Sequence, residues 1–252
     1  MIVAASTSCF PDLPYDAALE RLSSLEYTRV EITLREHGAQ LKPSQVAADL
    51  EDTVMMCRRT YRLTPVAYFA DIAAEGDAYF EQFHACCRLA KATKVVCVGV
   101  PPAELGTPFN AEIERLRELV RLAALEGVLV AVKTETGTMT EDPDTAVVLC
   151  DNVKGLGLTL DPSHYVCGPH GNVNYAHVIP YVFHVHLRDT SKEKLQVRIG
   201  QGEIEYGRLV SQLEKVHYDR ALTVDIVEDP DPAIDHTGEM RKIRLLLESL
   251  LV

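Results

Sequence analysis

Short apolar runs alternate along the chain with longer stretches whose apolar positions recur at helical spacing. The runs read as strands at residues 2–6, 28–34, 63–69, 94–100, 128–134, 155–160, 181–187 and 221–227. Helical periodicity covers 16–25, 43–61, 80–91, 110–125, 143–150, 206–216 and 239–251, and one more short helix has room between 160 and 181. Lys94 to Val100, KVVCVGV, is the clearest strand, nearly all β-branched and apolar as expected for one covered on both faces. Gly127 closes the helix before the fifth strand. Strictly alternating strand–helix units build parallel sheets, and eight of them in one chain lead to a closed barrel. The expected fold is therefore α/β, a single (β/α)8 TIM barrel over residues 1–252.

Composition narrows the function. The length suits one such barrel, and no repeat, low-complexity tract or linker divides it. A net charge of −12 repels phosphate backbones, which argues against a nucleic-acid partner. Seven cysteines, odd in number and without a CxxC pair, suit neither a disulfide framework nor a thiolate zinc site. Reduced, mostly buried thiols in a cytoplasm are the plain expectation. No apolar run approaches a membrane span, so a small-molecule substrate is the expected partner, with self-association left open.

The chemistry concentrates in GLGLTLDPSHYVCGPHGNVNYAHVIPYVFHVHLRD, residues 155–189. Its two apolar runs each end in groups able to hold a cation or move a proton: Asp161-Pro162-Ser163-His164 after the first, His186-Leu187-Arg188-Asp189 in the second. Parallel sheets present their chemistry at the carboxyl ends of strands, where Asp161 and His186 fall. Each also has a plainer role, Asp161 as a helix cap, and His184 and His186 as core imidazoles. The loops 101–109, 137–142, 192–205 and 228–238 follow strands and would surround the same face. Gly200-Gln201-Gly202 near Arg188 leaves a small anion open as ligand.

LTLDPSHY, then HVHLRD, then RIGQGEIEYGRLVSQLEKVHYDRALTVDI resembles the second half of the xylose isomerase-like TIM-barrel superfamily, the sugar (phosphate) isomerases and epimerases related to endonuclease IV. The resemblance implies carbohydrate metabolism and a divalent metal (Mn, Mg, Co or Zn) held by strand ends. It puts Asp161 and His186 on that metal with Asp225 at the eighth-strand ligand position, His164 against substrate, and Glu31 at a position that supports the site. Arg188, near the seventh strand end, is expected to join His164 and Glu31 against substrate, and Lys133, Glu135, His164 and Asp225 form the expected catalytic set. Two positions depart from the family. Lys133 stands where a Glu ligand is expected, with Glu135 two residues on, and the eighth strand ends in the shorter Asp225. An ammonium among carboxylates would weaken or replace the metal; the rival roles for Lys133 are a solvated residue or a Schiff-base lysine. Metal-assisted isomerisation or epimerisation of a small sugar, sugar phosphate or hydroxy-acid is thus expected. A diverged barrel that only binds a sugar-like ligand is the alternative, and an endonuclease IV-like nuclease the remote one, since its additional His and Glu zinc ligands are missing from the pattern.

Overall fold

The computed structural model, which describes residues 1–171, 173–228 and 234–251, closes eight parallel strands into one ring in chain order. They are β1 (Ile2–Ser6), β2 (Arg29–Arg35), β3 (Thr64–Asp71), β4 (Cys97–Val100), β5 (Leu129–Lys133), β6 (Leu156–Leu160), β7 (Val182–Leu187) and β8 (Ala221–Val224). Because β8 pairs with both β7 and β1, no strand edge is left open. Outside the ring lie α1 (Tyr15–Ser24), α2 (Pro43–Ala48), α3 (Leu50–Arg58), α4 (Gly76–Ala92), α5 (Phe109–Glu126), α6 (Pro143–Asn152), α7 (Ser163–Val166), α8 (Tyr206–Lys215) and α9 (His236–Leu250). Their apolar faces cover the outward strand residues in one continuous core. Gly127 ends α5 at φ +70°, a left-handed stop that a glycine adopts without strain.

Three expectations change in detail. The helix expected at 43–61 is two, because Asp49 leaves the helical region at φ −145° and its carboxylate accepts from the Asp52 amide at 3.0 Å. Apolar spacing permits one helix there; local capping chemistry divides it. The fourth strand begins at Cys97, since Lys94 turns the chain at φ +62° and Val96 is exposed. The eighth stops at Val224, so Asp225 sits just past the strand, its amide still bonded to the Leu187 carbonyl at 3.0 Å. Of the expected loop 228–238, residues 229–233 lie outside the described residues.

Two glycines decide what fills the barrel. A Cβ on Gly99 would lie 2.7 Å from the Phe69 ring, and one on Gly157 would lie 2.2 Å from the Phe183 ring. Each missing side chain makes room for a phenylalanine, Phe69 toward the mouth and Phe183 at the opposite end beneath the Arg220 guanidinium. Phe183 is the extra residue of a bulge in which Leu158 pairs with Val182 while Thr159 pairs with His184. A second register shift falls between Val30 and Glu31. Bulges re-aim side chains, and these two adjoin residues that face one another across the mouth. Every cysteine is free, and six of the seven are buried. No helix among the described residues is long and apolar enough to cross a membrane.

Candidate active site at the barrel mouth

Strand alternation carries His184 and His186 to the same side of β7, inside the barrel, while Glu31 reaches in from β2. His186 Nε2 meets Glu31 Oε2 at 2.7 Å in a hydrogen bond. His184 Nε2 lies equally close to that oxygen, 2.7 Å, but is not aligned to bond it. On its other edge His186 Nδ1 is 3.4 Å from Asp225 Oδ2. Asp225 and Asp161 are joined by Arg188, whose Nη2 donates to an Oδ2 of each at 3.0 Å. Lys133, at the end of β5, puts its ammonium 3.7 Å from the same Asp225 oxygen and 5.8 Å above the centre of the Phe69 ring. The second oxygens are held as well, Asp225 Oδ1 by the Ser8 hydroxyl and Asp161 Oδ1 by that of Ser163.

Burial would raise the pKa of each of these carboxyls, and the neighbouring cations more than reverse it. Glu31 is held well below the carboxylate range by His186 and His184. Asp225 is held there by His186, Arg188 and Lys133, and Asp161 is lowered by Arg188, His164 and Lys133. For His186 burial opposes the charge, yet Glu31 and Asp225 prevail and raise its pKa from 6.5; for His184 burial prevails and lowers it. The mouth is thus an ionised network of alternating sign, almost sealed from water.

A cavity of about 170 Å³ opens into it, lined by Ser8, Glu31, Thr33, Phe69, Lys133, His186, Arg188 and Asp225 among others. Most expected site residues therefore meet, and two stand apart. His164 stands behind Asp161: its Nδ1 accepts from the Thr136 amide at 3.1 Å, its Nε2 lies 3.6 Å from Asp161 Oδ2, and, like Asp161, it does not line the cavity. Glu135 joins neither of the candidate metal-ligand groups among the described residues. The sequence reading did not single out Ser8, Thr33 or Phe69. The Ser6-Thr7-Ser8 run at the end of β1 was a usable signal, since hydroxyls there face the mouth. The glycine pair 200 and 202 does not offer its amides to a ligand; both bond Asp189 Oδ2, at 2.7 and 3.1 Å, and staple the loop after β7.

Donor atoms of Asp161, His186 and Asp225 lie within 4.8 Å of one another, as do those of Glu31, His184 and His186, so groups able to ligate a metal are present. The charges around the first group do not suit a divalent ion. Arg188 already bonds Oδ2 of both Asp161 and Asp225, and the Lys133 ammonium lies 3.7 Å from the latter oxygen. Arginine keeps its proton, so an ion would have to displace a buried guanidinium bonded to two carboxylates. As arranged, the donor set does not fit a tightly held metal.

The architecture recurs widely. Among solved structures, a xylose isomerase-like TIM barrel protein from Mycobacterium smegmatis in complex with magnesium superposes with TM-score 0.76 at 17% identity, over 99% of this chain and 96% of that one. A D-tagatose 3-epimerase-like protein does so with TM-score 0.73 at 16% identity over 100% of both chains. The IOLI protein with a zinc atom does so with TM-score 0.75 at 17% identity, over 100% of this chain and 98% of that one. At such identities the likeness shows the fold alone. No curated protein matches the sequence. The family model of the xylose isomerase-like TIM barrel, however, matches residues 19–246, nearly the whole ring of strands and helices, and the chain belongs to that family.

Proposed function

We propose that the protein is an isomerase or epimerase of a small sugar-like compound in which fixed side-chain cations take the place of a tightly held metal. The observation that carries this reading is Arg188 bridging Asp161 and Asp225 at 3.0 Å each, with the Lys133 ammonium beside them. Epimerases and isomerases with the same fold support the reaction class.

Such reactions remove and return a proton on the carbon next to a carbonyl, and need a positive group at the carbonyl oxygen as charge develops there. The Lys133 ammonium makes no hydrogen bond to any described residue, so its three donors are available to that oxygen. The proton returned to the neighbouring carbon comes from His186, which is charged beside Glu31 and Asp225 and whose Nδ1 has no hydrogen-bond partner. Arg188 keeps Asp225 in place and neutralised while this happens.

The test is to incubate chelator-treated protein with aldose and ketose pairs in heavy water and follow deuteration of the substrate carbon by NMR. Exchange without added metal is expected. No exchange on any pair, with or without Mn²⁺, sinks the enzymatic reading and leaves a barrel that only binds. Tight binding of one equivalent of metal by the wild type, not tightened by Lys133→Glu, sinks the cation replacement instead.

A further inference from the structure

Of the cavity-lining groups without hydrogen-bond partners among the described residues, two are opposite in kind and carry full charges, Glu31 and Lys133. Glu31 is 1% exposed, and while its Oε2 is bonded to His186, its Oε1 has no hydrogen-bond partner. Lys133 is the complement, an ammonium in the same cavity with no hydrogen bond to a described residue. A buried acceptor left without a donor costs free energy that a native protein does not keep without reason. The other cations of the cavity each hold a carboxylate, Arg188 through Nη2 to Asp161 and Asp225, His186 to Glu31, and Arg35 to Asp71 at 3.0 Å. Phe69 supplies an apolar face between them, in space that Gly99 leaves open.

We infer that the cavity reads a neutral molecule carrying a hydroxyl beside a carbonyl, Glu31 Oε1 accepting from the hydroxyl while Lys133 Nζ donates to the carbonyl oxygen. A phosphorylated or carboxylate ligand is disfavoured, because the lining cations Arg35, Lys133, His186 and Arg188 are already matched by the carboxylates of Asp71, Asp225, Glu31 and Asp161, which leaves an added anion without a countercharge. The volume of about 170 Å³ equals that of roughly six waters, room for a short sugar and little more. This assignment rests on the proposed sugar chemistry for its carbonyl, but it is a claim about recognition and is tested by binding.

The probes are erythrulose, its 4-phosphate, and 4-hydroxybutan-2-one, which lacks both hydroxyls flanking the carbonyl, each titrated calorimetrically into chelator-treated protein. The wild type should bind erythrulose about ten- to a hundredfold more tightly than the other two. Glu31→Gln should reduce erythrulose affinity by a similar factor and erase its advantage over 4-hydroxybutan-2-one; Lys133→Met should weaken both ketones alike. The melting temperature of each variant separates lost recognition from lost folding. Equal binding of all three probes by the wild type, no binding of any, or an advantage that survives in a folded Glu31→Gln overturns the inference. If the binding pattern holds but heavy-water exchange is absent, the enzymatic reading fails and the recognition stands. If exchange occurs without the binding pattern, the reverse is true.

Discussion

The molecule contains two arginine–carboxylate networks that differ in one respect. In the first, Arg115 on α5 donates Nε and Nη2 to the two oxygens of buried Glu112 at 2.7 and 2.8 Å, Nη2 to the Pro101 carbonyl at 3.1 Å, and Nη1 to the Tyr79 hydroxyl. Glu112 also accepts from the Ala103 amide at 3.2 Å, so the network ties the loop after β4 to the helix that follows. In the second, at the mouth, Arg188 Nε, His186 Nδ1 and Glu31 Oε1 are buried without partners. Both networks are largely buried, the Arg115 side chain being 22% exposed, and both are charge-balanced. What separates them is satisfaction: the first has nothing left to give a ligand, and the second is an incomplete set of hydrogen bonds around a cavity. Burial and charge alone would have marked either as a site.

The hardest test of that contrast is Arg188→Ala. It leaves Asp161 and Asp225 buried without their shared cation, and should cost about 3–5 kcal/mol in metal-free buffer. Mn²⁺ should restore part of the loss through Asp161, His186 and Asp225, while shifting the wild-type melting temperature little; an equal shift in both proteins would refute the displacement argument. Arg115→Met should cost less, about 2–3 kcal/mol, because Arg115 is partly exposed and water can reach what it leaves. It should leave erythrulose binding unchanged in calorimetry, and a change there would merge the two networks into one. Gly99→Ala should cost about 1–2 kcal/mol by pushing a methyl group into the Phe69 ring, with weaker ligand binding, as chemical denaturation and calorimetry would record.

The smallest expected effect is on slope rather than level. Asp161 and Asp225 have pKa values lowered from 3.8, and Glu31 from 4.5, so the unfolded chain takes up protons first as the solution is acidified. Their contribution is whole above about pH 4.5 and is lost as pH falls from there. His186 acts in the opposite sense, its contribution being whole below 6.5 and lost as pH rises through its elevated value. Asp225→Asn removes one of the acid-sensitive groups. The urea midpoint of the variant should therefore fall less steeply than that of the wild type between about pH 5 and about pH 3. Parallel curves would show that Asp225 carries no such linkage.

Much of this was legible in the chain. Eight apolar runs and the helical periods between them determine a closed barrel, since strands covered on both faces and joined by helices leave no other compact arrangement. Strand ends determine where the chemistry lies, and alternation of side chains along β7 determines that His184 and His186 share a face. Lys133, where the family resemblance implies a Glu, was equally readable as a charge of the wrong sign among carboxylates. Apolar spacing left three things open, one settled by local capping and two only by tertiary structure. Asp49 splits a helix because its side-chain carboxylate accepts from the Asp52 amide, a local choice that apolar spacing does not encode. Phe69 and Phe183 fill the barrel because glycines from strands β4 and β6 stand opposite them, a pairing set by register. Arg188 lands between Asp161 and Asp225 because three strand ends converge on one axis, and no spacing along the chain measures the gap between residues 161 and 225.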